Sequence, residues 1–250
     1  MIVGDASQTP VSDGGRARPP SDQTAPGEPL TGFRANRDTD LFWSAPFSAA
    51  VTEVLDGDVD RWRERMRAHP DAACLHLLAT AAPDSALSAQ LYTLPFVPAA
   101  IARERERFGA YATRTMGGNL LADLLQEEVR RRERVVAIDD EAVLLAAFAA
   151  RVPYQLMLVP RTARMRFEDD GPSGQALLQV ALQRLSERFP GTTVELWVRT
   201  APQGAEHFCW RIEIMPRFPS PAGLEDGTGV AVNGVAPEQA AAELRERISR

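Results

Sequence analysis

The 250-residue chain carries 34 acidic and 28 basic residues and a net charge of −6, which excludes nonspecific binding to nucleic acid. Every basic residue among those 28 is arginine, so lysine-dependent phosphate loops and Schiff-base chemistry are excluded as well. No apolar run approaches the roughly 20 residues that span a bilayer, and the sequence predicts a cytoplasmic protein that makes no membrane contact.

Cysteine and histidine are scarce. Cys74 and Cys209 form neither a C-x-x-C pair nor a disulfide framework. The three histidines are His69, His76 and His207, too few and too dispersed for a closed zinc site. The sequence therefore predicts no metal and no cofactor.

Residues 1–40 are rich in Pro, Gly, Ser, Asp and Thr and predict a mostly disordered leader. Strands and helices follow along the rest of the chain. The predicted strands are 47–55, 74–80, 90–94, 135–138, 143–148, 154–159, 192–199 and 208–215, and the predicted helices are 59–68, 99–112, 120–132, 174–189 and 237–248. Consecutive strands without intervening helices favour an α+β fold with antiparallel sheets.

Four segments carry a family resemblance. They read AQLYTLPFVP at 89–98, GNLLADLL at 118–125, FAARVPYQLMLVPR at 148–161 and HFCWRIEIMPR at 207–217. In this order they resemble motifs of the galactose-1-phosphate uridylyltransferase family, a branch of the histidine-triad (HIT) superfamily. The resemblance implies two lobes with antiparallel sheets flanked by helices, at 41–117 (a shortened N-terminal lobe) and 118–250. It also implies a homodimer.

The catalytic and metal-binding residues of the family are replaced in this chain. The nucleophilic histidine falls at Ser88, two metal-binding cysteines fall at Asn119 and Ala122, and further histidines fall at Thr52, Ala163, Cys209 and Arg211. Only Gln90, which the resemblance makes a donor to phosphoryl oxygens, is retained from the His-x-His-x-Gln motif. A coordinated loss of this kind predicts a scaffold whose standard chemistry is gone.

Uridylyl transfer needs an imidazole that attacks phosphorus and holds the nucleotidyl group. Ser88 can replace it only with a base, and Asp84 or Glu53 would serve only if folding brought one of them close. Gln90 binds a phosphate but supplies no nucleophile.

The predicted strand 208–215 places alternate side chains on opposite faces. Phe208, Trp210, Ile212 and Ile214 form the expected core face; His207, Cys209, Arg211, Glu213 and Met215 form the other face. On that second face we predict a polar site in which the arginine grips a phosphate or carboxylate, oriented by the glutamate. Two alternatives are a plain surface ion pair and a metal held by the histidine, the thiol and the glutamate.

Glu225 lies two residues after Gly223 in a segment that resembles the family's Gly-Tyr/Phe-Glu, where the carboxylate contacts sugar hydroxyls. The resemblance makes it a sugar contact, and the alternative is a glycine turn with an exposed acid.

The sequence thus predicts a divergent uridylyltransferase-like protein that binds a nucleotide, nucleotide-sugar or sugar phosphate without standard uridylyl transfer. Two alternatives stay open. One is a repurposed enzyme with new chemistry in the altered cleft, and the other is a non-catalytic partner subunit of an active enzyme.

Overall fold

A computed structural model describes residues 29–35, 44–83, 85–169, 171–219 and 222–246. The strands there are β1 (Pro29–Ala35), β2 (Ser44–Leu55), β3 (Cys74–Ala81), β4 (Ser88–Leu94), β5 (Val135–Ile138), β6 (Ala142–Ala146), β7 (Leu156–Pro160), β8 (Val194–Arg199) and β9 (Arg211–Pro216). The helices are α1 (Val59–Arg67), α2 (Ala99–Arg114), α3 (Leu120–Arg131), α4 (Gln175–Arg188), α5 (Ala222–Thr228) and α6 (Pro237–Arg245).

The strands form one nine-stranded sheet in the order β1-β2-β4-β3-β8-β9-β7-β6-β5, and all neighbours are antiparallel. The predicted α+β class with antiparallel strands is confirmed. Strand β3 pairs with β8, with Leu77 opposite Val198, so the strands of the two halves of the chain join edge to edge.

The predicted disordered leader is corrected at its end. Strand β1 falls within residues 1–40 and pairs with β2 from Pro29 opposite Ala50 to Ala35 opposite Ser44. An edge strand is held by backbone hydrogen bonds, which a polar, glycine-containing segment makes as well as an apolar one. Residues 1–28 lie outside the described part of the chain.

One face of the sheet carries the main hydrophobic core and is called the core face. Helices α1, α4 and α6 cover it with apolar side chains such as Trp62, Leu178 and Leu244. Alternate residues of the strands supply the other half of this layer, including Leu77 of β3 and Ile212 of β9.

The opposite face is covered by α2 and α3 over only part of its width. Phe108 of α2 and Leu125 of α3 pack on Val143, Leu145 and neighbouring residues to form a second, smaller apolar layer. None of the helices within the described residues is both long and apolar enough to cross a membrane.

Strand β9 begins at Arg211, three residues later than predicted. Trp210 and Ile212 lie in the core-face layer as expected, but Phe208 packs in the layer beneath α2 and α3. The segment before β9 does not alternate because its backbone bonds to other elements. The Trp210 amide donates to the carbonyl of Arg164 at 2.8 Å, and the Asn119 side chain donates to the carbonyl of Phe208 at 2.9 Å.

Candidate functional site

Four central strands, β4, β3, β8 and β9, present polar side chains on the face opposite the core face, and this patch is called the polar face. Its side chains form three rows across the strands. They are Ser88, Thr80, Glu195 and Met215 in the first row, Gln90, Leu78, Trp197 and Glu213 in the second, and Tyr92, His76, Arg199 and Arg211 in the third. The pairing of β3 with β8 ends at Leu77 opposite Val198, and the third row continues this register by one residue.

The rows place Ser88, Gln90, Arg211 and Glu213 on the same face of the sheet. Gln90 and Glu213 lie in the same row, with β3 and β8 between them. Three strand spacings separate them, which is about 14 Å. A ligand that contacts both must therefore be elongated.

Arg211 is held by two carboxylates. Its Nε donates to Glu213 at 2.6 Å, and its Nη1 donates to Glu104 of α2. Gln155 donates in turn to the second oxygen of Glu213 at 3.2 Å. Burial alone would lower the pKa of Arg211, but Glu213 and Glu104 outweigh it and hold that pKa above its ordinary value. Much of the donor capacity of this guanidinium is thus used inside the protein.

Arg199 lies directly opposite Arg211 on the neighbouring strand. Its Nε is buried, and it has no hydrogen-bond partner among the described residues; the same holds for the indole Nε1 of Trp197. Burial lowers the pKa of Arg199, and repulsion by Arg211 lowers it further, while Glu104 acts in the opposite direction. Both unpaired donors lie on the polar face.

His76 lies beside this pair on β3, with its ring centroid 6.2 Å from that of Tyr92. Burial first, and then the charge of Arg199, lowers the pKa of His76 to about 4. The imidazole is therefore neutral at physiological pH and can donate one N–H.

Gln90 is half-buried, and its carbonyl oxygen accepts a hydrogen bond from the hydroxyl of Tyr92 at 2.5 Å. This contact fixes the amide so that its NH₂ group remains to donate. The geometry is compatible with the predicted donation to phosphoryl oxygens.

Ser88 is exposed at the first residue of β4, opposite Thr80. His76 is four residues from Thr80 along β3, which is about 13 Å at the rise of a strand. This histidine is too distant to deprotonate the serine. Asp84 and the side chain of Glu53 lie outside the described part of the structure.

Cys209 is completely buried in the layer beneath α2 and α3, where its thiol donates weakly to the carbonyl of Trp210 at 3.6 Å. Burial raises the pKa of this thiol to about 11, and burial does the same for Cys74. Neither is a thiolate near neutral pH. His207 is exposed in the segment before β9.

Two residues that the resemblance aligns with metal-binding positions of the family have structural roles in this chain. The side chain of Asn119 caps α3 by accepting from the amides of Leu121 and Ala122, both at 3.2 Å. Ala163 packs against the layer that contains Cys209. Within the described residues, no three His, Cys, Asp or Glu side chains are grouped in a way that suits a metal ion.

Glu225 lies on α5, so the segment expected as a possible glycine turn is helical. Its carboxylate accepts from the amide of Val232 at 2.8 Å and closes the loop that follows the helix.

Sequence reasoning did not single out Glu104, Gln155, Trp197 or Arg199. A signal existed for the last two, because Val194, Leu196 and Val198 alternate with polar residues in the predicted strand. The contact of Glu104 with Arg211 joins residues 107 positions apart and has no local signature.

No family model matches the chain. An ADP-glucose phosphorylase from Arabidopsis thaliana is 25% identical over 166 residues, covering 63% of this chain and 46% of the relative. A galactose-1-phosphate uridylyltransferase from Cryptococcus neoformans is 30% identical over 130 residues, covering 48% of this chain and 34% of the relative. The chain thus spans less than half the length of either of these relatives.

Solved structures share the fold. An Arabidopsis thaliana ADP-glucose phosphorylase with bound ADP-glucose superposes with a TM-score of 0.65 at 22% identity, over 76% of this chain and 65% of that one. A uridylyltransferase superposes with a TM-score of 0.67 at 17% identity, over 88% and 81%. The chain is therefore similar in part of its sequence to a galactose-1-phosphate uridylyltransferase and an ADP-glucose phosphorylase, and it shares the fold of the solved uridylyltransferase and ADP-glucose phosphorylase structures.

Proposed function

We propose that the polar face binds a nucleotide-sugar, nucleotide or sugar phosphate and does not transfer a nucleotidyl group through a covalent intermediate. One observation carries the proposal. Gln90 presents an N–H group that can donate to a phosphate on this face, whereas Ser88, in the nucleophile position, lies about 13 Å along the sheet from the neutral imidazole of His76.

The loss of the covalent step follows from chemistry. A serine hydroxyl attacks phosphorus only when a neighbouring group removes its proton, and the neutral imidazole of His76 is about 13 Å along the next strand. The retained groups bind, and binding without a nucleophile gives no nucleotidyl intermediate.

The ligand class is supported by a related structure. ADP-glucose is bound in the structure of the Arabidopsis thaliana ADP-glucose phosphorylase. An elongated nucleotide-sugar suits the span of about 14 Å between Gln90 and Glu213. Glu213, His207 and Glu225 are the further proposed contacts, and Arg211 is omitted because its guanidinium is bound to Glu213 and Glu104. Cys209 is omitted because its thiol is completely buried.

Isothermal titration calorimetry with ADP-glucose, UDP-glucose, galactose 1-phosphate and AMP tests the proposal. We expect saturable binding of at least one of them. Gln90→Ala should weaken it by about fivefold to tenfold, the value of one hydrogen bond to an anion. Gln239→Ala, an exposed glutamine on α6, is the matched control and should bind normally. If none of the four ligands binds, the proposal fails.

A second candidate is a non-catalytic partner subunit, favoured by Ser88 at the position of the expected nucleophile. We propose a homodimer in the cytoplasm as the default assembly. Light scattering after gel filtration should give twice the 27.4 kDa chain mass. A monomer that dimerises only with another protein from the native cell would favour the partner role.

The third reading, new chemistry at the altered cleft, gains no support at Cys209. A nucleophilic thiol needs a depressed pKa and access to substrate, whereas burial raises the pKa of this thiol to about 11.

A further inference from the structure

Two buried nitrogens on strand β8 have no hydrogen-bond partner. They are the Nε of Arg199 and the Nε1 of Trp197, and neither forms a hydrogen bond with any residue that the structure describes. Buried donors in native proteins are almost always satisfied, and an unsatisfied charged donor is the most costly kind. Such a pair on one face calls for an explanation.

The protein satisfies a comparable guanidinium elsewhere. Arg63 of α1 is buried, and its Nε donates to the carbonyl of Phe167 at 2.9 Å while its Nη1 donates to that of Gly171 at 2.7 Å. Two backbone carbonyls there accept hydrogen bonds from the guanidinium. Arg199 receives no such carbonyl.

The neighbours of Arg199 leave its Nε without a hydrogen bond among the described residues. Arg211, directly opposite, is itself a cation. The charge of Glu104 acts on Arg199, but its Oε1 is bonded to Arg211, and both oxygens of Glu213 are engaged by Arg211 and Gln155. On the other side lies His76, whose neutral ring has one N–H donor and one acceptor nitrogen.

The spacing of the donors suits a small oxyanion. Trp197 and Arg199 are two residues apart on a strand, so their side chains leave the same face about 7 Å apart. A phosphate that accepts a hydrogen bond of roughly 2.8 Å on each side spans this distance. Both side chains, like His76, are half-buried, so part of each lies at the surface, while the two nitrogens themselves are covered.

We infer that Arg199, Trp197 and His76 form an oxyanion subsite that takes a phosphate group. The inference rests on the proposed function and deepens it, because it places the anionic group of the ligand beside Arg199, whereas Arg211 serves as an internal ion pair. Arg199 supplies charge and a directed N–H, Trp197 supplies a neutral N–H, and His76 supplies the third donor.

Calorimetric titration of the full chain with inorganic phosphate, at fixed ionic strength set by sodium chloride, tests the subsite. We expect saturable binding to the native protein. Trp197→Phe removes the N–H together with the five-membered ring and keeps an aromatic side chain, and it should weaken binding by about tenfold or more. Arg199→Met should weaken it by about 30-fold or more. Arg161→Gln removes an exposed positive charge and should bind phosphate within twofold of the native protein.

Two further results separate this inference from the proposed function. Phosphate binding that depends on Trp197 and Arg199, without binding of ADP-glucose, UDP-glucose, galactose 1-phosphate or AMP, would leave the subsite standing and sink the proposed function. Nucleotide-sugar binding that is unchanged in Trp197→Phe and Arg199→Met would overturn the subsite alone. If Arg199→Met does not fold, phosphate binding by Trp197→Phe decides whether the subsite exists, because this variant keeps an aromatic side chain at the position and is expected to fold.

Discussion

The two faces of the central sheet differ in whether their buried nitrogen donors have hydrogen-bond partners among the described residues. On the core-face side, the indole of Trp62 donates to the carbonyl of Asp56 at 2.6 Å, and Arg63 is satisfied by two carbonyls. On the polar face, Trp197 and Arg199 keep buried nitrogens without partners among the described residues. The same residue types are therefore part of the packing on one face and available to a ligand on the other.

This contrast suggests how the scaffold changed. Asn119 and Cys209, at positions where the family has metal ligands, now cap a helix and fill an apolar layer. Arg211 neutralises two carboxylates within the protein. These three side chains are held by contacts within the protein, whereas the buried nitrogens of Trp197 and Arg199 on β8 have no partner among the described residues.

The largest loss of stability is expected for a substitution on the core face. Trp210→Ala removes a buried ring that packs edge-to-face on Phe167 at 5.1 Å between centroids. It should lower the free energy of unfolding by about 3 to 5 kcal/mol in urea denaturation. Trp197→Phe on the polar face should change it by less than about 1 kcal/mol, because it removes an unsatisfied donor. Equal losses would break the contrast between the faces.

Arg211→Met is expected to cause the next largest loss of stability. It leaves Glu104 and Glu213 half-buried without their cation, at a cost of about 3 kcal/mol in the same measurement. Arg217→Met is the matched control, since its pair with Glu195 is more exposed and should be worth less than about 1 kcal/mol. If both variants lose the same stability, Arg211 is not an internal ion pair.

His76 predicts a pH dependence of stability. Its pKa is about 4 when folded against an ordinary 6.5, so the unfolded state takes up the proton first as pH falls. Stability should be unaffected above pH 6.5 and should fall between pH 6.5 and 4 by up to about 3 kcal/mol. His76→Gln should flatten this part of the curve, measured by urea denaturation at several pH values. Identical profiles for the two proteins would show that the histidine is not held neutral.

Cys209→Ala should have the smallest effect. Loss of a buried thiol costs about 1 kcal/mol, and ligand binding should be unchanged because the thiol does not reach the polar face. In the native protein, Cys209 and Cys74 should react with iodoacetamide at least about 100-fold more slowly than after denaturation. Rapid alkylation of Cys209 in the native protein, or loss of ligand binding in Cys209→Ala, would show that this residue belongs to the binding site.

Most strands and helices could be predicted because their apolar residues follow the periods of 2 and 3.6. Strand β3, for example, buries Leu75, Leu77 and Ala79 on one face. The pairing of β1 could not be predicted, since it depends on backbone bonds rather than on an apolar pattern.

The site was only partly predictable. Motif matching located Gln90, Arg211 and Glu213, and the structure places them on one face. It could not locate Glu104 or Gln155, because the contacts of these residues depend on tertiary packing. The burial of Cys209 was also missed, since strict alternation was assumed before the point where β9 begins.

Intact-mass spectrometry of the chain incubated with ADP-glucose tests the central claim most directly. Under native conditions we predict a mass increase of one ADP-glucose per chain, reduced in Gln90→Ala. Under denaturing conditions we predict the bare chain mass, because binding leaves no covalent nucleotidyl group. A nucleotidyl adduct that survives denaturation, or the absence of any complex under native conditions, would contradict the account.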